Sequence, residues 1–186
     1  MVANIQAGEK MEDGAGDGRG AVFVAGVEKR DLLKIDAKAN AAVARWPTPD
    51  GASPHGLALG AEHHRAFMGC VNSMMMMVVD ATSGALVAKL PIARRNDAMA
   101  YDPKRKRVVS SNGLDGTVSV YQEVMPGNYK ALDTLTTAVS GRSIDVDPET
   151  GRLFVAASGV DPPATPGGRP RPKAGTLRPM MPDPVP

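Results

Sequence analysis

The chain has 186 residues, 42% of them hydrophobic and 23% charged, which is long enough for one domain with a sizeable core and too apolar for disorder throughout. A net charge of +2 is too small an excess to mark nucleic acid or an anionic membrane surface as the partner, and no stretch approaches the roughly 18 apolar residues of a membrane-spanning helix. One cysteine, Cys70, excludes an intrachain disulfide framework, while 20 Gly and 16 Pro against 4% aromatic residues point to an all-β chain of short strands and turns.

In chain order, "MVANIQAGEKMEDGAGDG" lacks the apolar centre of a signal peptide, so no export signal is expected in it. "GAGDGRG" superficially resembles a dinucleotide loop, but no strand signal precedes it and no helix signal follows, so no nucleotide cofactor is expected. Residues 21–160 then repeat. "AVFVAGVEKRDLLKID", "RAFMGCVNSMMMMVVD" and "RVVSSNGLDGTVSVYQ" share length and pattern, with Phe23, Phe67 and Val109 spaced by 44 and 42 residues. Arg65, Arg107 and Arg152 recur at 42 and 45, Trp46, Leu90 and Leu135 at 44 and 45, and an Asp-Pro turn recurs in "YDPKRKR" and "VDPETGR".

Each period carries four short strand signals, as in "GLAL", "RAFMGC", "MMMMVVD" and "ALVAKLP". Four strands per period of about 40 to 50 residues is the signature of β-propeller blades, and a constant internal offset is foreign to a two-sheet sandwich. The expectation is therefore an incomplete ring of about 3.5 four-stranded antiparallel blades. Residues 1–20 are read as the remnant of a preceding blade. The inner strand that should precede Ala21 falls in "MEDGAGDGRG", whose glycines and acids make it weak or absent. At the other end, the strand expected 13 positions past Phe154 would finish at Gly167, among prolines that cannot donate to a ladder. Residues 161–186 are read as a Pro-rich, disordered or polyproline-like tail, in which "PATP" and "PMMP" are chance matches to a PxxP ligand.

"RLFVAAS", "NGLDGTVSVYQ", "VVDATSGALVAKLPI" and "DVDPETGRLFV" resemble the YncE-like proteins of bacterial envelopes, built from YVTN-type β-propeller repeats, over residues 20 to 157. The resemblance implies a periplasmic or extracellular parent protein whose ring is about twice as long, with this chain corresponding to its C-terminal half. It carries no specific chemistry, because propellers host many functions.

In a propeller the innermost strands line the central channel, so residues leading into them gather at one mouth. Here those positions are His55, Asp97 and Arg142, spaced by 42 and 45, flanked by Asn96 and Ser143. Different polar residues at one repeated position are how a ligand-binding mouth is built, so His55, Asp97, Arg142 and Asn96 are the candidate ligand-binding residues. No metal is expected. His63 and His64 are neighbours that point apart, and alternation turns Met74 and Met76 to one face and Met75 and Met77 to the other, as suits a strand buried between two blades. Cys70 has no positive neighbour and reads as a small buried hydrophobe.

No nucleophile elbow, zinc-protease helix or phosphate loop is present, and no Ser is marked out as the partner of a His, so no catalytic residue is assigned. The expected function is a non-catalytic binding propeller, with an unidentified ligand or protein partner at the channel mouth. Two alternatives stand beside it. One is a lactonase-like hydrolase or isomerase using His55, Asp97 and Arg142. The other is an inactive fragment that needs a partner to supply the missing blades, with open blade edges through which it can also self-associate.

Overall fold

The computed structural model describes residues 3–162, 165 and 171–182. Three four-stranded antiparallel blades follow one another. The first is β1 (Met11–Gly16), β2 (Ala21–Gly26), β3 (Asp31–Asp36) and β4 (Ala41–Pro47), and the second is β5 (Pro54–Gly60), β6 (Arg65–Cys70), β7 (Met75–Asp80) and β8 (Leu86–Pro91). The third has β9 (Asn96–Asp102), β10 (Arg107–Asn112) and β11 (Thr117–Met125), with its outer strand in two pieces, β12 (Asn128–Ala131) and β13 (Leu135–Thr136), both paired to β11. The inner strands β1, β5 and β9 are successive neighbours around an arc.

The sequence repeat is a repeat of pairing. Phe23 lies opposite Lys34, Phe67 opposite Val78 and Val109 opposite Val120. Trp46, Leu90 and Leu135 lie opposite Leu32, Met76 and Val118. The turns repeat as well. The amides of Val27, Val71 and Gly113 donate to the carbonyls of Lys10, Ser53 and Arg95 at 2.9–3.0 Å, and those of Thr48, Ile92 and Thr137 to Arg30, Met74 and Gly116 at 2.7–3.0 Å.

Each blade buries its faces against its neighbours because strand side chains alternate. Ala66, Met68, Cys70, Met77 and Val79 face Phe23 and Leu32 of the first blade. Phe67, Met76 and Val78 face Met99, Val108 and Tyr121 of the third. Met74 departs from the expected alternation. It precedes β7, is 46% exposed, and takes a φ of +52° in the turn position also held by Arg30 and Gly116. Its role is to accept the amide of Ile92, not to pack.

Both ends differ from expectation. The glycine- and acid-rich segment forms β1, paired with β2, so Met11–Gly16 belongs to the first blade and is no remnant of an earlier one. Polar partners replace apolar alternation there: Asp13 Oδ2 accepts the amide of Leu57 at 3.0 Å, tying β1 to β5. Ahead of it, Arg45 Nη1 meets Asp31 Oδ2 at 2.5 Å and Glu9, while Nη2 donates to the Ala7 carbonyl at 2.6 Å.

The fourth blade consists of β14 (Ser143–Val146) and β15 (Leu153–Ala157), followed by a small two-stranded sheet, β16 (Val160–Asp161) with β17 (Arg171–Pro172). Its third strand is β18 (Arg178–Met180), which pairs Met180 with Val155 and Pro179 with Ala156. The expected end at Gly167 lies outside the described residues, as does most of "PATP". The strand instead arrives later, with its proline on an edge where a missing donor is tolerated. Part of "PMMP" is therefore sheet, not a polyproline tail. Among the described residues no helix is long and apolar enough to cross a membrane.

Candidate functional site

The lead-in to the inner strands of the second, third and fourth blades bends through a left-handed residue: Ser53 at φ +59°, Arg95 at +62° and Ser140 at +78°. Two residues later stand His55, Asp97 and Arg142, and the structure brings all three to one cavity of about 670 Å³. Counting 43 residues back from His55 reaches Glu12 on β1, which lines the same cavity. Four successive blades thus present Glu12, His55, Asp97 and Arg142 at one equivalent position.

Asp97 is the hub. Arg142 donates from Nε to Oδ2 at 2.9 Å and from Nη2 to Oδ1 at 3.4 Å. His55 Nδ1 lies 3.8 Å from Oδ1 and Arg95 Nε 4.0 Å from Oδ2. The other ring nitrogen of His55, Nε2, is 3.3 Å from Ser53 Oγ. Glu12 pairs with Lys10. That hydrogen bond holds its carboxyl below the usual range against the upward push of burial.

Lys10, Glu12, Ser53 and Arg95 are absent from the sequence-based assignment. One more period backwards from His55 signals Glu12, and the residue two before each mouth position signals the others.

Asn96 does not belong to the mouth. It is fully buried, where Oδ1 accepts the amide of Gly56 at 3.3 Å and Nδ2 donates to Ser110 Oγ at 2.8 Å and to the Ala98 carbonyl at 3.0 Å. A Cβ at Gly69 would stand 1.9 Å from its Oδ1. Asn96 is a polar clip between the second and third blades, and a buried carboxamide with this many partners is structural.

His63 ends a short turn after β5, and His64, at φ +53°, follows it. Neither lines the mouth cavity. Among the described residues no three of His, Cys, Asp and Glu converge as a metal cage would require. Cys70 is fully buried, and burial pushes its thiol up to about 12.

No family model matches the chain and no curated relative matches it. Among solved structures it is similar to hydrazine synthase of Kuenenia stuttgartiensis, with a TM-score of 0.71 at 11% identity, over 89% of this chain and 47% of that one. The chain therefore spans about half the length of that structure, and the likeness is one of fold.

Proposed function

We propose that this protein is a propeller-type binding protein that takes a small anionic ligand, carrying a carboxylate or phosphate, at the mouth formed by Glu12, His55, Asp97 and Arg142. The observation that carries this reading is the convergence of four equivalent positions on one cavity. The charge balance supports the ligand class. Arg95 and Arg142 both turn Nε toward Oδ2 of Asp97, and with about five N–H donors on each guanidinium most remain available to a further acceptor.

The motif resemblance to YncE-like YVTN-repeat proteins supports assigning the chain to that family, and with it a periplasmic or surface location for the parent protein. Fractionation of cells expressing that parent tests the location, and recovery only from the cytosol would refute it.

Titration with inorganic phosphate and with citrate, followed by calorimetry or by amide chemical shifts, tests the binding reading. Saturable binding that weakens at least about tenfold in Arg142→Ala and Arg95→Ala is expected, a loss equivalent to about 1.4 kcal/mol. Absence of saturable binding, or binding indifferent to both substitutions, would sink it.

A further inference from the structure

We infer that the same mouth carries a Ser–His–Asp relay, Ser53–His55–Asp97, giving the protein esterase activity toward small acyl esters that bear an anionic group. The inference rests on the anion-binding reading for its substrate class and goes beyond it in assigning chemistry.

The geometry has the order such a relay needs. Ser53 Oγ lies 3.3 Å from His55 Nε2, and the opposite ring nitrogen, Nδ1, faces Asp97 Oδ1 at 3.8 Å. With the proton on Nδ1, the imidazole turns its lone pair to the serine hydroxyl and its N–H to a carboxylate, the arrangement that makes a neutral histidine a general base. At 3.8 Å the two atoms are within ion-pair range but beyond hydrogen-bond reach, so the relay requires this contact to tighten when substrate binds.

Asp97 is itself fixed. Its side chain is 12% exposed and is gripped by Arg142. Ser53, His55 and Asp97 all line the cavity, so the hydroxyl is accessible to a ligand held there.

The left-handed backbone at Ser53 is shared with Arg95 and Ser140 and belongs to the repeat. What sets Ser53 apart is its hydrogen-bond partner. The hydroxyl of Ser140, at the equivalent position of the fourth blade, donates instead to the carbonyl of Ser158 at 2.5 Å.

In the reaction, Ser53 Oγ attacks the ester carbonyl carbon while its proton passes to His55 Nε2. The carbonyl electron pair moves onto oxygen, where the donors of Arg95 and Lys10 at the cavity wall meet the developing charge. Collapse of the tetrahedral adduct breaks the bond to the alkoxy oxygen, which leaves as the alcohol with the proton from Nε2. Water then attacks the acyl-Ser53 ester, giving one proton to Nε2. Collapse releases the carboxylic acid and returns the proton to Ser53. Asp97 touches no reacting atom and is a positioning residue.

The test is covalent. The full chain is treated with an alkyl fluorophosphonate, which loses fluoride to an activated serine, and separately with mono-p-nitrophenyl succinate, an activated ester that carries a free carboxylate. The expected results are one phosphonyl group per chain mapped to Ser53 and a burst of one p-nitrophenol per chain. Both should be abolished in Ser53→Ala and slowed at least about a hundredfold in His55→Gln. Asp97→Asn should slow labelling at least about tenfold, with Asp97→Glu recovering part of the loss.

An unlabelled chain that retains its near-ultraviolet dichroism would overturn the relay, as would an adduct that persists in Ser53→Ala. Phosphate binding separates the two proposals. Binding without labelling leaves the anion site and removes the relay, whereas labelling without phosphate binding keeps the serine and removes the anionic substrate class.

Discussion

Gly69 and Asn96 interlock across the second and third blades, because the missing side chain of one leaves the space that the carboxamide of the other fills. A Cβ at Gly69 would come within 1.9 Å of Asn96 Oδ1, and one at Gly56 within 2.8 Å. Gly69→Ala should therefore destabilise the chain by about 1–3 kcal/mol through overpacking. Asn96→Ala should cost a similar ~1–3 kcal/mol by leaving buried partners unsatisfied. Thermal melts followed by circular dichroism check both, and a Gly69→Ala protein melting with the parent would refute the interlock.

The turn position shared by Arg30, Met74 and Gly116 demands a left-handed backbone. Gly116→Ala should lose about 1–2 kcal/mol to the unfavourable φ alone, and more because its Cβ would lie 2.8 Å from the Val139 amide. Met74→Gly should lose nothing measurable, since Met74 is exposed and already strained there. Urea midpoints for the pair decide the matter, and equal effects would contradict the assignment.

Phe67 anchors the interface between the second and third blades. It is fully buried, stacked on Tyr101 at 5.3 Å and edge-on to Tyr129 at 5.9 Å between ring centroids. Phe67→Ala should cost about 3–5 kcal/mol, read as a lower urea midpoint with an unchanged slope.

Two carboxylates should pull stability in opposite directions with pH. Burial pushes Asp80 up, but the amides of Thr82 and Ser83, the Ser83 hydroxyl and Arg65 outweigh it and hold Asp80 below its ordinary 3.8. Its contribution is present above 3.8 and lost as pH falls through the lower folded value. Asp31 is raised above 3.8 by burial and by neighbouring Glu9, against the pull of Arg45. Its contribution is full below 3.8 and lost as pH rises through the raised value. Asp80→Asn should accordingly flatten the acid side of a plot of urea midpoint against pH, and Asp31→Asn the limb above it. A profile unchanged by either substitution would contradict these shifts.

Glu12 should oppose anion capture. Glu12→Gln removes one negative charge from the mouth and frees Lys10, so phosphate should bind several-fold tighter, an effect of about 1 kcal/mol or less at this exposure. Weaker binding would show that Glu12 contacts the ligand directly.

The blades were legible because each repeats the same inward-facing residues. Phe23, Phe67 and Val109 recur where packing demands them, and packing between identical neighbours imposes one period. Three mouth residues were legible by the same count. Glu12 was hidden because its strand is held by backbone pairing and by Asp13, neither of which leaves an apolar pattern. Asn96 looked like a mouth residue because one step along a strand reverses the direction of a side chain, which neighbourhood in sequence does not reveal. Met74 was misread because a turn residue with positive φ carries no signature when it is neither Gly nor Asn. The β18 strand was missed because the chain leaves the fourth blade for β16 and β17 before returning, which breaks the period.

That detour also bears on the order of assembly. In the first two blades, consecutive strands are joined by tight turns, so each sheet can zip from contacts close in sequence, and the blades can form in turn as the chain emerges during synthesis. The fourth has to hold β15 unpaired on one edge until Arg178–Met180 arrives, more than twenty residues later. Closing that loop adds only a modest entropic cost, since each doubling of length costs about 0.6 kcal/mol. The delay nevertheless makes the last blade the natural final step of folding and the first place for the structure to fray, with Met180 the residue whose docking against Val155 marks completion.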